Sequence, residues 1–238
     1  MTDNHSGQAI VAIVGSKPDP VLPVDVDTMV FCNGSIYLLD RPDVKPRETW
    51  HCITNSVLLE TKYLSELTRP WLRDKSVDLL IEIASLTPDK LDYSWDDFGY
   101  TFADRAIIPN AEKGELTFTF MSRWFYWDLL FAPCPAREKI SAFWNTFWRR
   151  KKPAASTGLL AVLFALRKLG SDPGKTFVIC GIGLANDGYE FKKKAYARGH
   201  ICVDYCVLRG LARLRTGPGI YVTDRRLSDM TGLPILGA

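Results

Sequence analysis

The 238-residue sequence has no apolar run of the roughly 18 residues that a membrane-spanning helix requires, so no such helix is expected. The early apolar run, residues 9–14, is too short and wrongly flanked for the core of a leader peptide, and residues 1–8 read as a loose polar tail. Charge of one sign is also scarce. The net charge of +3 is too small to make nucleic acid the main partner. The six cysteines, Cys32, Cys52, Cys134, Cys180, Cys202 and Cys206, contain no CxxC pair and fit no common zinc spacing. All six are therefore expected as free thiols, with Cys202 and Cys206 on an apolar helix face and no bound metal. There is no GxSxG elbow, which removes the usual signature of a Ser/His/Asp hydrolase. No internal repeat or low-complexity segment is present.

What is there is an alternation of strands and helices. Ile10 to Val14, Thr28 to Cys32, His51 to Thr54, Val77 to Ile81, Thr176 to Cys180 and Gly219 to Val222 are short, β-rich apolar runs, as buried parallel strands are. Glu60 to Leu67 and Ala136 to Arg150 read as helices. Ser156-Thr157-Gly158 opens a helix whose apolar face runs to Leu169, with Gly170 after it. Another helix runs from Val203 to about Arg215. The expected fold is α/β, a single Rossmann-like domain over residues 9–238 with a mainly parallel sheet and helices on both faces. Residues 92–150 form an irregular, aromatic-rich insert or lid within it.

In such a sheet the ligand sits beyond the carboxyl ends of the strands. Small and amide residues recur there: Gly15 and Ser16, Asn33, Asn55, and Gly181 in a polar loop running to Lys194. This composition suits phosphate, ribose or sugar hydroxyls, although each residue alone also fits a turn or a cap. The start of the Ser156 helix offers hydroxyls and free amides, and so an anion site. The loop after Cys180 begins GxG, but Asn186 stands where the third glycine of a dinucleotide fingerprint belongs, which argues against a nicotinamide oxidoreductase. His200 meets that loop just before a helix, and imidazole titrates where a general base should.

Three stretches, in this order, resemble the bacterial sialyltransferases that use CMP-activated sugars. They are residues 13–20 (IVGSKPDP) with the strand end at Cys32-Asn33, Ser156-Thr157-Gly158, and Gly181 to Phe191 followed by Gly199-His200 and Asp204. The resemblance implies an inverting, metal-independent glycosyltransferase that needs no cofactor beyond its donor. A 2-keto acid sugar, of the sialic-acid type or Kdo, would pass from CMP to a glycan or glycolipid acceptor. His200 would be the catalytic base and Tyr189 would stabilise the departing phosphate. Gly15, Ser16, Asn33, Asn55, Ser156, Thr157, Gly158 and Gly181 would bind nucleotide and donor sugar. Ser16 stands where the family commonly has Asn, and Ala185 stands near the place of a second loop tyrosine. The alternative is a binding module of a polysaccharide-assembly system that has lost catalysis. The expected location is cytoplasmic. Lys192 to Lys194 are read either as a solvated surface or as an acceptor contact. The aromatics Trp144, Phe147 and Trp148 beside residues 149–152 (RRKK) suit either an ordinary packed helix or peripheral contact with an anionic membrane surface.

Overall fold

The computed structural model describes residues 8–17, 19–60, 68–121, 123–149, 152–184, 200–214 and 218–237. Most of the expected helix at Glu60 to Leu67, the tail through Gly7, Tyr189 and Lys192 to Lys194 lie outside the described residues. Seven parallel strands form one sheet: β1 (Ala9–Val14), β2 (Thr28–Cys32), β3 (Glu48–Thr54), β4 (Ser76–Ala84), β5 (Thr101–Pro109), β6 (Lys175–Cys180) and β7 (Gly219–Val222). Their order across the sheet is β5-β4-β3-β2-β1-β6-β7. The register pairs Val14 with Phe31 on one side and with Cys180 on the other, so three carboxyl ends lie side by side.

The α-helices are α1 (Glu112–Phe120), α2 (Phe125–Phe131), α3 (Ala136–Phe143), α4 (Thr157–Leu169), α5 (Ile201–Ala212) and α6 (Arg225–Thr231). Trp144–Trp148 continues α3 as a π-helical turn. One face of the sheet packs on α4 and α5, where Val11, Ile13 and Phe177 meet Leu159, Leu163 and Val207. The opposite face packs on 3-10 segments, with Val14, Phe31 and Leu80 against Ile36, Leu38 and Leu72. Connections made while the chain steps from β1 to β5 lie on this second face. The described parts of those from β5 to β6 and from β6 to β7 pack on the first. A constant crossover hand requires the change of face when the direction of winding reverses.

The continuously apolar β1 and β2 are central strands buried on both faces, as parallel strands are. β5 is the opposite case. It is an edge strand, mostly exposed, with Asp104 and Arg105 at its middle. The far edge is partly covered, because Ile235 bridges to Val222 of β7.

The aromatic-rich middle of the chain is built of β5, α1, α2 and α3, within residues 101–143. One expectation needs correction: the six cysteines are not all free, because Cys134 and Cys202 form a disulfide across 68 residues. That separation places the two thiols on different elements, and only the packing of α5 against the segment between α2 and α3 brings them together. The other four cysteines are free and buried. A second tie joins the same parts: buried Asp128 of α2 accepts two hydrogen bonds from Arg213, at 2.5 and 2.6 Å.

Candidate functional site at the reversal of strand order

The winding reverses between β1 and β6, and at such a point the connections after adjacent strands leave on opposite faces and open a crevice. Gly15 and Gly181 are the first residues beyond these strands. The Gly15 amide donates to the Cys180 carbonyl at 2.8 Å, and the Lys17 amide to that of Gly181 at 3.0 Å. A Cβ on Gly15 would stand 2.4 Å from the Gly181 carbonyl oxygen. Gly181 has φ +60, and its own Cβ would meet Pro20 at 2.9 Å. Both glycines are thus required by the close approach of two main chains. Gly15→Ala is expected to cost about 1–3 kcal/mol, because neither carbonyl can retreat without breaking the interlock. A urea midpoint equal to that of the native chain would show that the loops can part.

Ser16 is nearly buried, and its hydroxyl donates to the Cys32 carbonyl at 3.1 Å. Ser35, not singled out from the sequence, donates to the Val14 carbonyl and accepts from the Cys32 amide, each at 2.8 Å. These two serines sew the ends of β1 and β2 together. Asn33 sits at φ +53, a left-handed conformation that Asn tolerates better than most residues. Its carbonyl accepts from His51 Nε2 at 2.8 Å, and its half-buried side-chain amide has no hydrogen-bond partner among the described residues. Asn55 is placed differently. Its Oδ1 accepts from the amides of Ser85 and Leu86, and its Nδ2 donates to the Leu86 carbonyl. The whole amide is used to clamp the turn after β4.

Ser156 is the N-cap of α4, its hydroxyl accepting from the Leu159 amide. Its own amide donates to Asp204 Oδ1 at 2.8 Å, which joins the first turns of α4 and α5. The amides of Thr157 and Gly158 stand too early in the helix for intrahelical acceptors, and none is found among the described residues. Gly158 packs beside the loop after β6, since a Cβ there would lie 3.4 Å from Ile182.

His200 is the N-cap of α5, because that helix starts at Ile201, two residues before the expected Val203. Its ring is exposed, with Nδ1 3.2 Å from the Ala154 carbonyl. A carbonyl only accepts, so Nδ1 carries the proton and the lone pair of the neutral ring is on Nε2. The structure thus brings together Gly15, Ser16, Gly181, Ser156, Thr157, Gly158 and His200 around the two helix starts and the β1 and β6 ends. Asn33 borders them, and Asn55 faces away toward β4.

Two further residues belong to this rim. Lys17, directly after the β1 loop, forms an ion pair with Asp224, the N-cap of α6. Burial pushes the Asp224 carboxyl up, but hydrogen bonds from Lys17 and from the helix amides outweigh it and hold the carboxyl below its ordinary range. No sequence signal joins residues 207 positions apart.

Among the described residues the group able to approach a metal ion is Cys134, Glu138 and Cys202, with ligand atoms within 4.8 Å of one another. The disulfide leaves both sulfurs without the thiolate character that a metal requires. A hollow of about 820 Å³ lined by Arg69, Arg73, Asp92, Tyr93 and Phe98, among others, lies elsewhere and includes none of the expected site residues. Compared with family models, curated proteins and solved structures, the chain finds no match.

Proposed function

We propose that the protein is an inverting glycosyltransferase that takes a 2-keto acid sugar from a CMP-activated donor. The observation that carries this reading is the meeting of two helix starts at the reversal point. α4 offers the amides of Thr157 and Gly158, which have no acceptor among the described residues, and α5 offers His200 with the lone pair of its neutral ring on Nε2. Helix amides attract an anion, here the donor carboxylate or phosphate. His200 Nε2 would take the proton from the acceptor hydroxyl. The freed oxygen bonds to the anomeric carbon as its bond to the CMP phosphate oxygen breaks, and CMP leaves with the electron pair. Hydrogen bonds from main-chain amides, and from Tyr189, which precedes α5 in the sequence, would stabilise the charge that builds on the phosphate. No step in this scheme asks for a divalent ion or a redox cofactor.

Of the expected donor-binding residues, Thr157 and Gly158 would meet the donor through their amides, while Gly15, Gly181 and Ser156 would shape the crevice, since the Gly15 amide, the Gly181 carbonyl and the Ser156 amide are bonded within the fold. Ser16 and Asn55 would act through the shape of the strand ends, since their polar atoms are bonded within the fold. The reading is tested by a donor screen scored by CMP release. CMP-Kdo or a CMP-sialic acid is expected to turn over in the presence of an acceptor glycan, and equally in EDTA. Binding of CMP without release from any donor would favour a non-catalytic module. Binding of NAD in preference to CMP would overturn the assignment.

A further inference from the structure

Helix α2 buries one side and leaves the other uncovered, and α3 with its π-helical turn has no fully buried residue. On the inner side Phe125 and Leu129 enter the core, and Asp128 is bonded to Arg213. On the outer side Trp127, Leu130, Phe131, Ile140, Phe147 and Trp148 are each more than half exposed. The rings gather in groups on these elements. Tyr126 meets Phe143 and Phe147 at 5.4 and 6.0 Å, and Trp144 stacks on Trp148 at 5.2 Å. Monomeric soluble proteins seldom expose apolar surface of this extent unless something covers it.

The charges around it narrow the occupant. Residues 118–152 hold seven basic side chains and two acidic ones, a net +5 within a chain whose total is +3. Both acids turn inward: Asp128 is buried, and Glu138 has a buried carboxylate oxygen. Arg123, Arg137 and Arg149 are exposed around the rings. A second copy of the chain would set the same positive surface against itself. An anionic bilayer opposes it with the other sign, and Trp and Tyr rings are suited to the headgroup level.

We infer that this aromatic face docks the protein peripherally on an anionic lipid bilayer. Its rings enter the headgroup region and the exposed Arg123, Arg137 and Arg149 lie at the phosphate level, where each basic residue contributes about a fivefold gain in partitioning. The docked surface is tied to the crevice twice. Cys134, between α2 and α3, is bonded to Cys202, two residues from His200, and Trp148 precedes the Ser156 cap by eight residues. Docking therefore holds the crevice beside the membrane. This inference does not depend on the reaction proposed above.

The test uses the full oxidised chain in co-sedimentation with vesicles of phosphatidylcholine alone and of phosphatidylcholine mixed with phosphatidylglycerol. Binding to the mixed vesicles is expected to exceed the other by about tenfold or more, to shift tryptophan emission to the blue, and to weaken as salt rises. The double substitution Trp144→Ser and Trp148→Ser is expected to lower this binding by about tenfold or more, with the unfolding midpoint unchanged because both rings are already exposed. Equal binding to both vesicles, or none, would overturn the inference. So would a dimer, seen in sedimentation without vesicles, that the same double substitution dissolves: that result assigns the face to a second copy.

Discussion

His200→Ala is expected to lower the transfer rate by about 10²–10⁴-fold while leaving CMP affinity within a factor of a few, since a positioned base is worth that much. The argument is geometric. Among the described residues the polar contact of the ring runs from Nδ1 to the Ala154 carbonyl, so the imidazole is oriented by the chain just before α4 and Nε2 has no partner there. The ring is exposed and caps no amide of its own helix, so its removal costs the fold little. Calorimetry with CMP and steady-state CMP release would be measured on one preparation. Unchanged turnover removes His200 from the mechanism. A parallel loss of CMP affinity would make it a binding group and leave the base unassigned.

The second large effect concerns a different histidine. His51 is completely buried in β3, donating from Nε2 to the Asn33 carbonyl and accepting at Nδ1 from the Tyr100 hydroxyl at 2.7 Å. Burial pushes its pKa down to about 4, against a smaller opposing effect of the Asn33 carbonyl, so the folded protein holds the ring neutral. In the unfolded chain the ring binds a proton below about 6.5. The unfolded state therefore takes up more protons between these values, and stability falls as pH falls from about 6.5 to about 4. With a slope near 1.36 kcal/mol per pH unit, the loss reaches about 3 kcal/mol at the lower end, where protonation of the folded ring flattens the curve. Urea unfolding across this range would measure it. His51→Gln keeps a donor and an acceptor but does not titrate, so its curve is expected to be flatter by about that amount. The lowered carboxyls of Asp43, Asp78, Asp97 and Asp224 also cost stability as pH falls, but equally in both proteins. Parallel curves for the two proteins would mean that His51 is charged in the fold.

The central strands were legible because burial on both faces leaves a continuous apolar run, as in residues 10–14 and 28–32. β5 was not legible, because one open edge and one half-covered face allow Asp104 and Arg105 into its middle. The helix start at Ser156 could be placed from its local cap, whereas the start after His200 lies two residues before the expected Val203 and has no side-chain cap to mark it. The use made of the polar groups could not. Ser16 finds its partner 16 residues away and Asn55 finds its own at 30 and 31, so whether a hydroxyl or amide remains for a ligand depends on packing that no local pattern records. The same holds for His51, an ordinary strand residue until Asn33 and Tyr100 close around it. The middle aromatics suggested an insert because they do not segregate into a core, and the outward face of α2 and α3 is the reason.

The two edges of the sheet carry a last consequence. β7 is flanked by the returning segment at Ile235, so β5 is the strand left to accept a neighbour among the described residues. An incoming strand would have to pair along a backbone flanked by an aspartate and an arginine, a charged fringe that opposes edge-to-edge polymerisation. A protein with so many exposed rings therefore keeps its most reactive backbone guarded, and can concentrate locally on a surface without its sheets joining end to end.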